Sequence, residues 1–299
     1  MRIILIILII CLIIILFLDD NKKSYENFKD VVNFKDFEKP YLWVYWENKD
    51  GKSTPPIIEL CLEIMRLRLS NNFNIIKLDQ NNIIDYIPEV MERKHILDKL
   101  IIAHRVDYYR VLLLNKYGGL YLDADIIVLN DLGDIIDKLR EYDYIGFGCT
   151  GYRCTNGYGK PSNWAMGSKP NGIMISRLKK YLENILDNIK EDKIDYHTFG
   201  KLAIWEILNK LIKNENYKYY HYDSEKIGTR DIDGKWITND MLVCNTKIRF
   251  KDENNLYFLV FYNSDEDKIL ENYFKNKIKE DLVKDNSNIS YFLRKGYNI

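Results

Sequence analysis

The chain has 299 residues, 46% of them apolar and 29% charged, which is room for one sizeable α/β domain or two small ones. Its 44 basic and 44 acidic residues cancel, so there is no excess of positive charge of the kind that marks nucleic-acid binders, and no nucleic-acid partner is expected. Its five cysteines do not settle the redox compartment.

Ile3 to Leu18 is an unbroken apolar run behind a lone Arg2. As a helix it covers about 24 Å, a little short of a hydrocarbon core of about 30 Å, and its flanks can lengthen it. The residues that follow, Asp19-Asp20-Asn21-Lys22-Lys23, offer none of the small side chains that a signal-peptide cleavage site needs. An uncleaved transmembrane anchor over 1–18 is therefore expected, followed by a charged stem over 19–39. Lys22 and Lys23 oppose Arg2, so charge does not fix the orientation. A single folded domain is expected over 40–299.

Within that domain, Tyr41–Trp46 (YLWVYW) is aromatic and β-branched and predicts a strand. A polar loop with Pro55-Pro56 leads to apolar helical spacing over Ile57–Leu69, then a short strand over Asn74–Leu78. Short helices are expected over Asn81–Tyr86 and Val90–Leu100. After the central stretch come a helix (Leu132–Glu141), a strand (Tyr144–Phe147) and a long loop over Gly146–Gly159, with Cys149 and Cys154 placed for a local disulfide. Asn163–Ser168 reads as a turn before Pro170 and a helix over Ile173–Ile189. An amphipathic helix with an aromatic start is predicted over Ile194–Ile212, in which His197 reads as structural. Strands are predicted at Tyr217–Tyr222, Lys247–Phe250 and Tyr257–Tyr262, and a charged helix and tail over Phe274–Ile299. Cys61 and Cys244 sit in apolar contexts and read as core. Asn288-Ile-Ser290 is a glycosylation sequon.

The central stretch runs from Ala103 to Leu129. Val106–Tyr117 has helical spacing, Gly118-Gly119 stops the helix, and Leu120–Leu129 is an apolar strand broken only by Asp123-Ala124-Asp125. Strand period puts the two carboxylates on one side unless the chain turns there. Asp107 and Arg110 lie one turn apart on the helix and can reach one point together. The alternation of strands and helices argues for a mainly parallel sheet covered by helices, whose ligands bind beyond the carboxyl ends of the strands.

Asp107-x-x-Arg110 followed by Gly118-Gly119-Leu-Tyr121-Leu-Asp123-Ala-Asp125 resembles the D-x-D region of GT-A glycosyltransferases, in particular the OCH1-like family (glycosyltransferase family 32) and the related capsular polysaccharide synthesis proteins. LWVYWENKDGKSTPPIIELCLEIMR is similar to the opening of the latter. The resemblance implies a GT-A (Rossmann-like) fold and transfer of a hexose from a nucleotide sugar, with UDP favoured over GDP. The acceptor would be a glycan, polysaccharide or glycoprotein, and the configuration would be retained. It implies that Asp125 binds Mn²⁺ or Mg²⁺ and that Asp123 binds ribose or sugar hydroxyls and touches the metal. It further implies that Asp107, Arg110 and Asn163 hold the donor sugar and that an aromatic stacks on the base; we expect Trp46 rather than Trp43. The His that such relatives carry near their C-terminal end is absent here, with Asn263, Ser264 or Asp265 as oxygen substitutes. No catalytic nucleophile or base is evident. A lumenal domain is expected behind the anchor, with a cytoplasmic face the other option. The rival readings are a membrane-anchored cation- or glycan-binding module and an inactive relative.

Overall fold

The computed structural model describes residues 39–48, 51–149, 160–189, 194–261 and 268–299. The anchor over 1–18, nearly all of the stem, Cys154 and with it the Cys149–Cys154 pairing, most of the Gly146–Gly159 loop and the 263–265 triplet lie outside them. Among the described residues, no helix is long and apolar enough to cross a membrane.

The residues from Lys39 onward form one compact unit. Its strands are β1 (Tyr41–Tyr45), β2 (Asn74–Leu78), β3 (Gly119–Leu122), β4 (Ile126–Val128), β5 (Tyr144–Cys149), β6 (Lys160–Ser168), β7 (Tyr220–Tyr222) and β8 (Phe258–Val260). Its principal helices are α1 (Pro56–Leu69), α2 (Ile102–Tyr117), α3 (Gly133–Glu141), α4 (Ile173–Asp187), α5 (Lys201–Glu215) and α6 (Asn288–Tyr297). A six-stranded sheet has the order β2-β1-β3-β6-β5-β7, and β4 pairs with β8 in a separate two-stranded sheet. The pairs β1–β2, β1–β3 and β5–β7 are parallel, while both pairs made by β6 are antiparallel. Five strands therefore share one direction and only β6 runs against them. This is the mainly parallel, helix-flanked sheet that the sequence predicts.

The chain passes from β1 through α1 to β2 on one side, then returns through α2 to β3 on the other side of β1. The gap between β1 and β3 is thus the switch point where open α/β sheets bind ligands. Parallel pairing aligns Trp43 with Tyr121. Two residues further along each strand stand Tyr45 and Asp123, so Trp46 and the D-x-D segment leave the sheet at the same rim.

Side chains on both faces of β1 and β3 are buried: Trp43 and Tyr121 on one, Leu42, Val44, Leu120 and Leu122 on the other. Trp43, Tyr45, Tyr121, Tyr144 and Met166 join the core built with α2, α4 and α5. α1 has Pro56 in its first turn, where a missing N–H costs nothing, and buries Ile57, Cys61, Ile64 and Met65. α2 ends because Gly118 has φ +66. Gly119 is required for a different reason. With φ +97, a Cβ there would sit 2.3 Å from the Tyr41 carbonyl oxygen. The Trp43 indole donates to the Gly118 carbonyl at 2.8 Å, tying the double-glycine turn to β1.

Several elements depart from expectation. The 160–168 segment is a nine-residue strand rather than a turn. The strand predicted over Leu120–Leu129 is two strands in two sheets, with Asp123-Ala124-Asp125 turning between them. The helix expected from Ile194 starts only at Lys201, after a turn over Tyr196–Gly200. Lys247–Phe250 forms no strand. The charged helix and tail expected over Phe274–Ile299 is two helices, Lys279–Lys284 and α6, the second of which buries Ile289, Phe292 and Leu293. Cys244 is exposed, not core, whereas Cys61 is buried. The Asn288 sequon is inaccessible. Asn288 is 3% exposed, and its amide donates to the carbonyls of Met241, Cys244 and Thr246.

Candidate functional site

α2 turns Asp107 and Arg110 inward, and both are buried. Arg110 Nη2 lies 3.1 Å from Asp107 Oδ1 and 3.1 Å from Asp123 Oδ1, so one guanidinium joins the helix to the D-x-D turn. Its Nη1 donates to the Asn163 carbonyl on β6, and its Nε donates to the Val106 carbonyl at 3.3 Å. The Tyr121 ring lies 4.5 Å beneath it. Burial works against the Arg110 charge, but Asp123, Tyr121 and Asp107 outweigh it and hold the guanidinium more firmly protonated. The Asn163 amide donates to Asp107 Oδ1 at 2.7 Å. Burial raises the Asp107 carboxyl above the usual carboxylate range, and Arg110 and Asn163 pull it back in part.

Asp123 follows directly on β3. Its backbone N–H still bonds the Trp164 carbonyl at 2.8 Å, extending the β3–β6 ladder by one residue. Burial pushes its carboxyl up to about 6 against the pull of Arg110. The side chain keeps 29% of its surface open, unlike Arg110 at 5% and Asp107 at 6%. Asp123 is thus the exposed edge of a buried charged cluster. Such clusters add little net stability, since well-packed apolar residues often replace them without loss. One placed at the switch point therefore calls for a reason in binding or catalysis. Asp125 is half-buried in the same turn, and its charge acts on Tyr121 and, toward α1, on the buried Cys61 thiol.

Four predicted residues therefore converge: Asp107, Arg110, Asp123 and Asn163. Asp125 is their neighbour in the turn. Trp46 stands apart, half-buried just past β1, where its indole donates to Asn48 at 2.8 Å. Trp43 is fully buried among Tyr41, Tyr86 and Tyr117. His197 is half-buried beside Lys201 and touches no member of the cluster in the described contacts. Among the described residues, no three His, Cys, Asp or Glu side chains converge on a point that could hold a metal.

Gly200, Glu47 and its two partners were not singled out by the sequence. Gly200 packs so closely that a Cβ would lie 2.5 Å from Asn163 Nδ2 and 2.9 Å from Asp107 Oδ2. Glu47, at the β1 rim, accepts from Tyr45 at 2.5 Å and from Arg105 of α2 at 2.9 Å. These two bonds tie the end of β1 to the helix that carries the cluster. Only for Gly200 was there a sequence signal, a lone glycine inside an otherwise helical pattern.

A mainly parallel, helix-flanked sheet thus carries a D-x-x-R helix and a D-x-D turn at its switch point, the rim where open α/β sheets bind ligands. Residues 13–233, most of the chain, match the family described as capsular polysaccharide synthesis protein, and the chain belongs to that family. It is also similar to an uncharacterized glycosyltransferase of Acanthamoeba polyphaga mimivirus, with 32% identity over 117 residues. That match covers 38% of this chain and 41% of the relative, so the chain spans about two fifths of the length of that curated protein. Among solved structures it resembles the PaToxG glycosyltransferase, with 14% identity and a TM-score of 0.42 over 58% of this chain and 70% of that one.

Proposed function

We propose that the chain is a GT-A-type, metal-dependent glycosyltransferase. It moves a hexose from a nucleotide sugar, UDP-linked in preference to GDP-linked, to a glycan, polysaccharide or glycoprotein acceptor with retention of configuration. The observation that carries this is the Asp107–Arg110–Asp123–Asn163 network at the β1–β3 switch point. Membership of the capsular polysaccharide synthesis family supports it.

The donor set fits a hard cation. Asp123 and Asp125 supply only carboxylate oxygens, and two such ligands leave positions for substrate oxygens and water, as Mn²⁺ and Mg²⁺ require. Bound there, the ion would stabilise the charge that builds on the diphosphate leaving group as the anomeric bond breaks. The chain's own residues do the positioning. Arg110 holds Asp123 in place and keeps a fixed positive charge behind it. The open edge of Asp123 accepts hydrogen bonds from ribose or sugar hydroxyls. Asp107, fixed by Arg110 and Asn163, sets the floor on which the donor hexose rests. Trp46, beyond β1, stacks on the base. In the same proposal the 3–18 run anchors the protein in a membrane, with the domain on the lumenal side.

The test is hydrolysis of UDP- and GDP-sugars against Mn²⁺ concentration, with no acceptor added. The wild type should release hexose only with the cation present. Asp125→Asn keeps the shape of the side chain but removes its charge, and should abolish that turnover with little loss of thermal stability. Wild-type turnover by Asp125→Asn would remove the assignment. Nucleotide and cation binding without hydrolysis would point to the binding module or the inactive relative.

A further inference from the structure

The turn from Tyr196 to Gly200 is pinned to α2 at two points. At one end, the Tyr196 carbonyl lies 3.3 Å from His104 Nε2, and the Phe199 ring stacks on the His104 ring, centroids 5.2 Å apart with planes 27° from parallel. At the other end, Gly200 presses on Asn163 and Asp107. His104 and Asp107 are i,i+3 neighbours on one helix face, with Cβ atoms roughly 5–6 Å apart. The turn is therefore laid along the face of α2 that carries the charged cluster. The Tyr196 hydroxyl lies within electrostatic reach of Arg110.

Despite that position, Tyr196 is 50% exposed. Its ring lies in a T-shaped contact with the His197 ring, centroids 5.2 Å apart at 79°, and 6.3 Å from the His104 ring. Ile101, 49% exposed, stands just before α2, and Leu202, 42% exposed, lies in the first turn of α5. Burial, then Lys201, pushes the His197 imidazole below its usual value, so near neutral pH it is uncharged and can both donate and accept. A half-open aromatic face with polar groups at its rim matches a ligand that is apolar on one face and hydroxylated at its edges.

Strand order says which part of the reaction this face serves. Trp46 lies beyond β1, Asp123 beyond β3 and Asn163 on β6, in the spatial order β1-β3-β6. Base, diphosphate and donor hexose would be read out in that order across two strand spacings, about 10 Å. Gly200 abuts Asn163 and Asp107, so the Tyr196 turn adjoins the end of that array where the donor hexose would lie.

We propose that Tyr196 is the aromatic wall of an acceptor subsite. Its open face stacks on the C–H face of the acceptor's sugar ring, beside the Asp107–Asn163 end of the donor site. The proposal rests on the glycosyltransferase reading above.

The experiment uses the full chain in detergent with UDP and Mn²⁺. The probes are methyl α-glucopyranoside, methyl α-mannopyranoside and methyl β-galactopyranoside, followed by saturation-transfer NMR. UDP affinity is followed separately by calorimetry. The wild type should saturate the ring C–H protons of at least one glycoside. Tyr196→Ala should weaken that binding about tenfold or more while UDP affinity changes by less than about threefold. Tyr196→Phe, which keeps the ring, should retain it. A wild type that binds UDP but saturates no glycoside, or a Tyr196→Ala chain that saturates them equally, overturns the acceptor wall and leaves the donor site standing. A wild type that binds no nucleotide fails the donor reading, and the acceptor proposal with it.

Discussion

Trp43 and Trp46 are three residues apart and sit in opposite settings, one sealed in the core and one half-buried at the rim. Trp43 has no exposed surface, an indole hydrogen bond to Gly118 and three aromatic neighbours. Truncating it leaves a large cavity under the double-glycine turn. Trp43→Ala should cost about 3–5 kcal/mol, read by urea denaturation. Trp46→Ala should leave the midpoint of that transition nearly unchanged and weaken nucleotide binding by about 1–3 kcal/mol, read by calorimetry. Arg110 differs from both. It is buried between two carboxylates, so Arg110→Met strips both of their partner and leaves Asp107 enclosed. Removing one member of a buried ion pair typically costs about 3–5 kcal/mol, and a value toward the lower end is expected because Asp123 can turn to water. A loss under about 1 kcal/mol by denaturant titration would show that the cluster is hydrated in solution.

At the scale of elements, what a local signal determined could be read from the chain. The course from α2 through Gly118-Gly119 to β3 was legible because periodicity and a glycine stop are properties of neighbouring residues. Gly119 can be tested directly. Gly119→Ala puts a methyl 2.3 Å from the Tyr41 carbonyl at a positive φ, and should lower the melting temperature far more than Gly51→Ala, which meets nothing within 4 Å although its φ is also positive. The strand β6 was not legible. KPSNWAMGS carries Pro161, Asn163 and Gly167, all poor strand formers. It is a strand because β3 and β5 flank it, and Pro161 is tolerated where the β5 register shifts between Gly146 and Gly148. Asn163 could thus be expected in the site by resemblance, but not as a central strand residue whose backbone carbonyl braces Arg110. The turn of the D-x-D was hidden for the same kind of reason. Nothing near Asp125 reveals that Ile126 leaves the main sheet, because its partner is Val260. Gly200 broke the helical pattern around it, but its closeness to Asn163 and Asp107 depends on distant parts of the chain that the local pattern does not show.

Over the whole molecule, residues 39–299 hold their own core and all of the described cluster. A polypeptide beginning at Lys39 should therefore be soluble, melt cooperatively and bind UDP with Mn²⁺ as the full chain does in detergent. Aggregation of that fragment alone would mean that the preceding segment completes the domain. The C-terminal helix is part of this unit: Gly296 sits close against Ile64 of α1 and Ile127 of β4, directly behind the D-x-D turn. The pairing of β4 with β8 also sets a schedule. Val128 waits for Phe258, and α6 follows later still. Emerging from a ribosome at ~5–20 residues per second, the chain would hold β4 unpaired for on the order of 10 s after the first half of the sheet could form. The turn that carries Asp123 and Asp125 would then be the last part of the site to close. Until it closes, the nascent protein presents Ile126–Val128 as an open apolar edge, the segment that a ribosome-bound chaperone would meet first.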